Sequence, residues 1–501
     1  MLSHSFQRVC IALLIIAMFL FSIHTLTDIN QDIGMHLSLG KIIWQTHHVP
    51  TTNLFSYTNP GYPSVNNRWI FEVLLYLGVS LVGLKGMIVA KAGIIALAFG
   101  FAFFTSYRYR DGFGPILIGI VSMFILVDRT FLRPEIFSFL FLSIYFYILF
   151  RKPRYPWLWL LIAIQLLWIN FHIYFFIGPL IWILYAAPKW IRERSIPRND
   201  ILLTICLGLI NLLNPTGLTA VLFPFRVLSQ YGIPVLENLS LFDLGPYQYP
   251  HLPIYAFYLG LVVILSSFVV NRTRWKENIF GALLAITTAI LSFSMLRNMP
   301  LFALALMPVA MKNFSESGMV LSRKIFSILG AFLLLLLIAG IVTGSIFRWA
   351  GIRREFGLQI PDFGFKAVAF VKQNHIAGPV FNNMNAGSFL VWQLPDQKVF
   401  FDARPEDYPP AFEKQIYIPM QSDPAMWKRY SDSYHINYVF YAWQETYYTH
   451  WANTFLKDMT KNSDWPIVYV DNSIAIFVKN TPENRAVIER TKAWRSKIRF
   501  Q

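Results

Sequence analysis

Apolar stretches of close to 20 residues recur through the first two thirds of the 501-residue chain. No other feature limits its fold so tightly. A run of that length crosses hydrocarbon only as a helix, because every backbone N–H and C=O must find its partner inside the segment. A membrane β-barrel needs short alternating segments, and these runs do not alternate. Only 14% of residues are charged and 55% are hydrophobic, whereas soluble domains carry about 25% charged residues. The fold class is therefore mainly α: a polytopic transmembrane bundle of about 11 spans. The expected spans lie near 9–27, 86–106, 113–127, 136–150, 157–171, 174–187, 200–213, 253–270, 279–296, 299–311 and 325–345.

The first run, Val9 to Leu26, is too long for a cleaved leader and lacks a small-x-small site, so it reads as a retained span. Cys10 and Cys206 both lie in apolar runs, which leaves no disulfide framework and no cysteine metal site. The net charge of +16 raises the question of nucleic acid, but the basic residues cluster in short loops between spans. That is a topology signal. With the N-terminus in the cytoplasm, the inside loops hold Arg108 and Arg110; Arg151, Lys152 and Arg154; Lys189, Arg192, Arg194 and Arg198; Arg272, Arg274 and Lys276; and Lys312, Arg323 and Lys324. Counting 69–84 as a span would turn every later basic loop outward, so that segment, with Glu72, reads as a helix lying on the outer face.

The outside then receives 28–85, "DRTFLRPE" (128–135), "NFH" (170–172), 214–252, "RNMP" (297–300) and everything beyond about 346. The C-terminus is thus outside. Domain 1–345 is transmembrane, with 28–85 as its first outer loop; 346–501 is an extracytoplasmic α/β domain. Its strand-like runs are "GPVFN", "KVFFD", "NYVFYA", "PIVYV" and "SIAIFVK", and helical stretches are expected at 363–375, 445–461 and 482–497.

Polar residues gather on the outer side. Asp28, Asp32 and His36 are spaced i, i+4, i+8 and share one face if the stretch is helical. Arg129, Arg133, Glu135, Asn170, His172, Glu237, Asp243 and Arg297 reach the same side. Each has a plain structural reading. Asp28 can end a span in water, Arg133-Pro134 can anchor and start a helix, His172 can be a hydrogen-bonded structural group, and Arg297 can snorkel. Their common side points instead to a polar cavity, because an unpaired charge near hydrocarbon is costly. A carboxylate there can accept a proton from an attacking hydroxyl, and arginines can hold a leaving lipid phosphate. In the outer domain, "FFDARPEDY" (400–408) is a strand end and turn, or else Asp402 and Arg404 contact substrate.

The stretches "QDIGMHLSLGKIIWQTHHVPTTNLFSYT", "NRWIFEVLLYLGVSLVGLKG", "LRPEIFSFLFL", "LLWINFHIYFFIG", "LINLLNPTGL", "MLRNMPLFALALMP" and "VFNNMNAGSFLVWQLPDQKVFFDARPEDY" resemble bacterial membrane proteins of the type-C glycosyltransferase superfamily. They are similar to the dolichyl-phosphate-mannose and aminoarabinose transferases. The resemblance implies hexosyl or pentosyl transfer from a polyprenyl-phosphate-linked donor to an extracytoplasmic lipid, glycan or protein acceptor, at the bacterial cytoplasmic (inner) membrane. It implies membrane lipid as a partner and no nucleic acid.

It also implies an essential acid in the first outer loop. Asp32 matches, Asp28 is the neighbouring candidate, and His36 would partner the acid; a second outer-loop acid corresponds to Glu135. Substrate contacts would fall to Arg129, Arg133, Asn170, His172, Arg297, Asp402 and Arg404. No particular cofactor is implied, and a divalent cation could do part of the arginines' work. The tight acidic pair of the family is absent, since Asp28 and Asp32 stand four apart, and so is a Trp-Trp-Asp signature. The competing readings are a surface-polysaccharide ligase or polymerase, a membrane transporter, and an assembly protein without catalysis.

Overall fold

A computed structural model describes residues 4–27, 32–108, 112–151, 155–231, 235–244, 251–318, 325–352, 354–443 and 449–495. Asp28 lies outside the described residues, as do Arg110, Lys152, Arg154, Arg323 and Lys324 of the basic loops. The described chain is mainly helical, with one small sheet near its C-terminal end. It forms two compact units. The first comprises Met1–Leu26, Leu81–Pro224 and Val235–Gln359; the second comprises Thr27–Ser80, Phe225–Pro234 and Ile360–Gln501.

In the first unit, each segment read as an apolar span is helical. Four helices are long and apolar enough to cross a membrane: Trp69–Ser106, Ile173–Glu193, His251–Val270 and Lys276–Ser294. Shorter apolar helices include Phe6–Phe21, Glu135–Phe150 and Tyr155–Phe171. A helix over Leu218–Gln230 falls where the sequence suggests only loop; its internal Pro224 breaks the expected pattern. The unit is built around Met299–Ser317, whose side chains are buried without a break from Met299 to Met311. The helices Gly114–Leu126, Ile279–Ser294, His251–Val270 and Glu135–Phe150 pack on it. A helix apolar on every side and buried on every side is the expected centre of such a bundle.

The Trp69–Ser106 helix runs for 38 residues, broken at Gly83 by a backbone of φ 68° and ψ 175°. Glycine alone adopts that geometry without steric cost. The part before the break, 69–82, rises about 21 Å at 1.5 Å per residue, short of a hydrocarbon layer about 30 Å thick.

The second unit holds a four-stranded sheet in the order β1-β2-β4-β3, with β1 Val380–Asn382, β2 Tyr438–Ala442, β3 Ile467–Val470 and β4 Ile474–Val478. The β1–β2 pair is parallel, and the crossover between these strands contains the helices Met384–Gln393 and Pro424–Ser433. The other pairs are antiparallel, and Asp471 Oδ1 accepts from the N–H groups of Ser473 and Ile474 to close the β3–β4 turn.

"KVFFD" is not one of the strands of this sheet. Val399 pairs instead with residues 55–57: its N–H donates to Phe55 O at 2.9 Å, and its carbonyl accepts from Tyr57 N–H at 3.2 Å. The buried runs of Val, Phe and Tyr mark extended chain but do not say which partner it takes. The helical stretches expected near 363–375, 445–461 and 482–497 correspond to the helices Phe365–Gln373, His450–Met459 and Arg485–Arg495.

Close approach at the centre of the first unit depends on Gly260. A Cβ there would sit 2.9 Å from the Phe302 ring and 3.1 Å from Leu306, the small-residue packing that lets membrane helices associate. Gly260→Val is expected to cost about 1–3 kcal/mol by overpacking, read as a lower melting temperature in detergent. An unchanged melting curve would show that the helices part freely at this point.

Candidate functional site

The loop joining Gly114–Leu126 to Glu135–Phe150 is a single 3-10 turn, Val127–Arg129, followed by a short irregular stretch that ends at Pro134. Pro134 suits the start of a helix because it has no N–H to leave unsatisfied. Glu135 then falls in the first turn, where the helix dipole favours a carboxylate. The loop presents Arg129 and Arg133. A second short turn, Leu236–Asn238, brings in Glu237; it is tied by backbone bonds from Leu241 N–H to Phe293 O and from Leu296 N–H to Leu239 O. Arg297 arrives on the 3-10 turn ahead of Met299–Ser317.

These groups meet in the first unit. Arg129 donates from Nη2 to Glu135 Oε2 at 2.7 Å and from Nη1 to Glu237 Oε2 at 2.6 Å. Arg133 Nη1 donates to the same Glu237 oxygen at 2.9 Å. Arg297 Nη1 lies 3.8 Å from Glu237 Oε1 and donates to Asn238 Oδ1 at 3.2 Å. Its guanidinium sits over the Tyr174 ring at 5.6 Å, and the Tyr174 hydroxyl donates to Asn298 Oδ1 at 2.7 Å. Three guanidiniums thus face two carboxylates. Arg129 Nε, Arg297 Nε and Glu135 Oε1 are buried and lack a hydrogen-bond partner among the described residues. Burial by itself would raise the Glu237 pKa, but Arg129, Arg133 and Arg297 together hold it well below the usual carboxylate range. A buried cluster with one more cation than anion and orphaned polar atoms is suited to binding an anion.

His172 and Asn170 stand behind this cluster. The His172 ring meets Tyr174 edge-on at 4.7 Å, and its Nδ1 is 2.9 Å from Ser138 Oγ. Asn170 donates to Leu166 O and Leu213 O, and its Oδ1 accepts from Asn214. Both residues thereby join the helix ends beneath the arginines.

The second unit contains the other candidates. The helix Ile33–Thr46 begins directly after Asp32, whose carbonyl accepts from His36 N–H at 3.0 Å. His36 Nδ1 lies 3.1 Å from Glu72 Oε1, and Asn66 donates to Glu72 Oε2 at 2.6 Å. The carboxylate beside the imidazole is therefore Glu72, brought in by the helix that starts at Trp69. Arg68 lies 3.8 Å from Glu72 Oε1 and donates to Glu406 at 2.9 Å. Arg404 grips Asp402 with two bonds, Nε to Oδ1 at 3.0 Å and Nη2 to Oδ2 at 2.7 Å, and reaches Asp407 at 2.5 Å and Asn53 Oδ1 at 3.3 Å. Asp402 and Arg404 are 0% and 2% exposed, and Arg404 ties Asn53 to residues 402–407.

The residues that sequence reasoning passed over are Glu72 as the partner of His36, Tyr174 and Asn298 beside Arg297, and Glu237 as the hub of the arginines. Two Arg-to-Glu237 distances under 3 Å link positions more than 100 apart in the chain, and no local spacing reveals such a hub. Among the described residues, no group of three or more His, Cys, Asp or Glu side chains is placed to hold a metal ion. The acids of both clusters are paired with guanidiniums.

Two outcomes test these networks. The Glu237 carboxylate is held below its ordinary range, so its stabilisation is complete above about pH 4.5 and is lost as pH falls through the lower folded value. Glu237→Gln should cost about 3–5 kcal/mol at pH 7, with the gap to wild type closing only in strong acid. A gap that does not change with pH would mean that charge pairing is not its source.

Asp407 is the opposite case. Burial pushes its pKa up to about 7, with Glu406 and Asp402 adding to the push and Arg404 opposing it. Its contribution is complete below about pH 4 and is lost as pH rises through 7. Relative to wild type, Asp407→Asn should therefore gain thermal stability between pH 4 and 8. A constant difference between the two melting curves would sink this assignment.

No protein-family model and no curated protein matches the sequence. Solved structures do match the fold. The archaeal oligosaccharyltransferase AglB from Archaeoglobus fulgidus, in complex with an inhibitory peptide and a dolichol-phosphate, is 11% identical, covers 95% of this chain and 74% of its own, and superposes with a TM-score of 0.55. The Archaeoglobus fulgidus oligosaccharyltransferase in complex with Zn and sulfate is 11% identical over 93% of this chain and 73% of its own, TM-score 0.52. ArnT from Cupriavidus metallidurans, bound to undecaprenyl phosphate, is 12% identical over 95% of this chain and 98% of its own, TM-score 0.51. In fold, this chain resembles the polytopic membrane glycosyltransferases of the type-C superfamily.

Proposed function

We propose that this chain is a membrane glycosyltransferase that moves a sugar from a polyprenyl-phosphate-linked donor to an extracytoplasmic acceptor. The observation that carries the reading is the convergence of Arg129, Arg133 and Arg297 on Glu237 beside Glu135, with buried Nε groups left to satisfy. The fold likeness supports it, since two of the similar structures are complexes with polyprenyl phosphates. The described basic loops and the break at Gly83 favour the topology expected above: N-terminus inside, the 69–82 helix not crossing, the arginine cluster and the C-terminal domain outside.

In this reading an acceptor hydroxyl attacks the anomeric carbon. The bond from that carbon to the phosphate oxygen breaks, and the electron pair leaves with the polyprenyl phosphate. Asp32 takes the hydroxyl proton. The guanidiniums bind the phosphate more strongly as its charge grows, which is how such groups lower a barrier. At rest, Glu237 is the anion that holds Arg129 and Arg133 in place, and an incoming phosphate competes with it. Glu135 orients Arg129 through the 2.7 Å bond. Asp402 and Arg404 hold the second unit together through their paired bonds.

The test is transfer from labelled polyprenyl-phosphate sugars by reconstituted protein. Asp32→Asn should reduce turnover about 100-fold or more. Arg297→Met should mainly raise the donor KM. Equal turnover by wild type and Asp32→Asn at equal protein level would remove Asp32 from the mechanism. Collapse of a substrate gradient in proteoliposomes without sugar transfer would indicate a transporter.

A further inference from the structure

Behind the arginine loop lies a second charged set that the reaction does not use. Lys91 is 0% exposed, although it sits in the apolar part of the Trp69–Ser106 helix beyond Gly83. Its Nζ donates to Thr130 O at 2.7 Å and to His24 Nε2 at 2.9 Å. A lysine only donates, so His24 Nε2 carries the lone pair, and Nδ1 carries the proton that it donates to Thr25 O at 3.0 Å. His24 is held in turn by backbone bonds from Thr25 N–H to Glu355 O at 2.8 Å and from Leu26 N–H to Gln359 O at 3.0 Å.

Those bonds also bring in Arg354, whose Nη2 donates to Asp128 O at 2.9 Å and Asp128 Oδ1 at 3.2 Å. Its Nη1 lies 3.3 Å from Thr130 Oγ1, and the guanidinium covers the Phe131 ring at 4.3 Å.

The loop is therefore gripped on alternate residues. Asp128 and Thr130 face backward to Lys91, His24 and Arg354, while Arg129 and Arg133 face forward to Glu237. The two gripped carbonyls flank Arg129 directly. Burying a lysine among apolar helices is costly, and a bundle that needed only packing would place a leucine there. Counting formal charges over both faces, Arg129, Arg133, Arg297, Lys91 and Arg354 stand against Asp128, Glu135 and Glu237. That surplus of two matches the charge of about −1.5 to −2 on a phosphate monoester at neutral pH.

We propose that Lys91, with Arg354 and His24, is a positioning group for the anion site: by holding the Asp128 and Thr130 carbonyls it fixes the backbone from which Arg129 reaches a lipid phosphate. The phosphate rests on the function proposed above; the grip on the loop does not. Preorganised donors bind a developing charge without reorganising, so loosening the loop weakens phosphate binding while the site for the prenyl chain stays intact.

The experiment compares wild type, Lys91→Met and Arg354→Lys in detergent. Hydrogen exchange is followed in the 127–136 peptide, and binding is measured for undecaprenyl phosphate and for undecaprenol. Lys91→Met should speed exchange in 127–136 about tenfold and weaken undecaprenyl phosphate about tenfold, with undecaprenol unchanged. Arg354→Lys, which keeps the charge but loses one arm, should change both in the same direction by less, and it carries the test if Lys91→Met does not fold.

Unchanged exchange in 127–136 overturns the proposal. So does faster exchange by the same factor throughout the chain, or equal loss of both ligands; each would make Lys91 a packing residue only. Wild type that binds neither ligand would sink the proposed function instead, while the exchange measurement still decides whether Lys91 holds the loop.

Discussion

Guanidinium–carboxylate pairing away from water is the interaction on which both halves of this molecule depend. A charge moved from water into a protein interior costs several kcal/mol unless an opposite charge and hydrogen bonds meet it. Beside local pairs such as Arg129–Glu135 and Arg404–Asp402, each network includes an opposite charge from far along the sequence. Arg129 meets Glu237 across 108 positions, and Arg354 meets Asp128 across 226. In the second unit Arg68 meets Glu406 across 338. None of these pairs forms unless the whole unit has folded, so each acts as a check on correct assembly as well as a source of stability.

The two networks are balanced differently, and the difference bears on function. Around Arg404 and Arg68 the carboxylates Asp402, Glu406 and Asp407 outnumber the cations, and each polar side chain is turned to a neighbour in the same unit. Such a set is closed. Around Glu237 the cations are in excess, and buried polar atoms remain without partners. Such a set is open to one more anion. The contrast separates a closed network from an open one without any reference to related proteins.

Much of the helical layout was legible in the sequence, because apolar length is a direct consequence of what a bilayer permits. The helices Glu135–Phe150, His251–Val270 and Ile279–Ser294 start and stop within a few residues of the apolar runs. The grouping of Arg129, Arg133, Glu135 and Arg297 was legible too, since a topology assigns each loop to a side. What a sequence cannot carry is which neighbour a side chain selects. His36 was matched with Asp32 by helical spacing, yet the helix starts only after Asp32 and the ring turns to Glu72. Val399 to Phe401 had the composition of a sheet strand, but this stretch lies against 55–58. Lys91 and His24 lie 67 positions apart, and no local spacing announces that both meet Thr130.

The pairing of Val399 and Phe400 with residues 55–58 also bears on how the molecule is made. Ser56 and Phe400 are 344 positions apart. At roughly 5–20 residues per second on the ribosome, the segment around Ser56 waits about 20–70 seconds before its partner has even been polymerised. Throughout that interval Phe55, Tyr57 and Arg68 lack their final neighbours Val399, Val380 and Glu406. The cell must therefore shelter a half-built unit during biogenesis, and quality-control proteases would meet it there first.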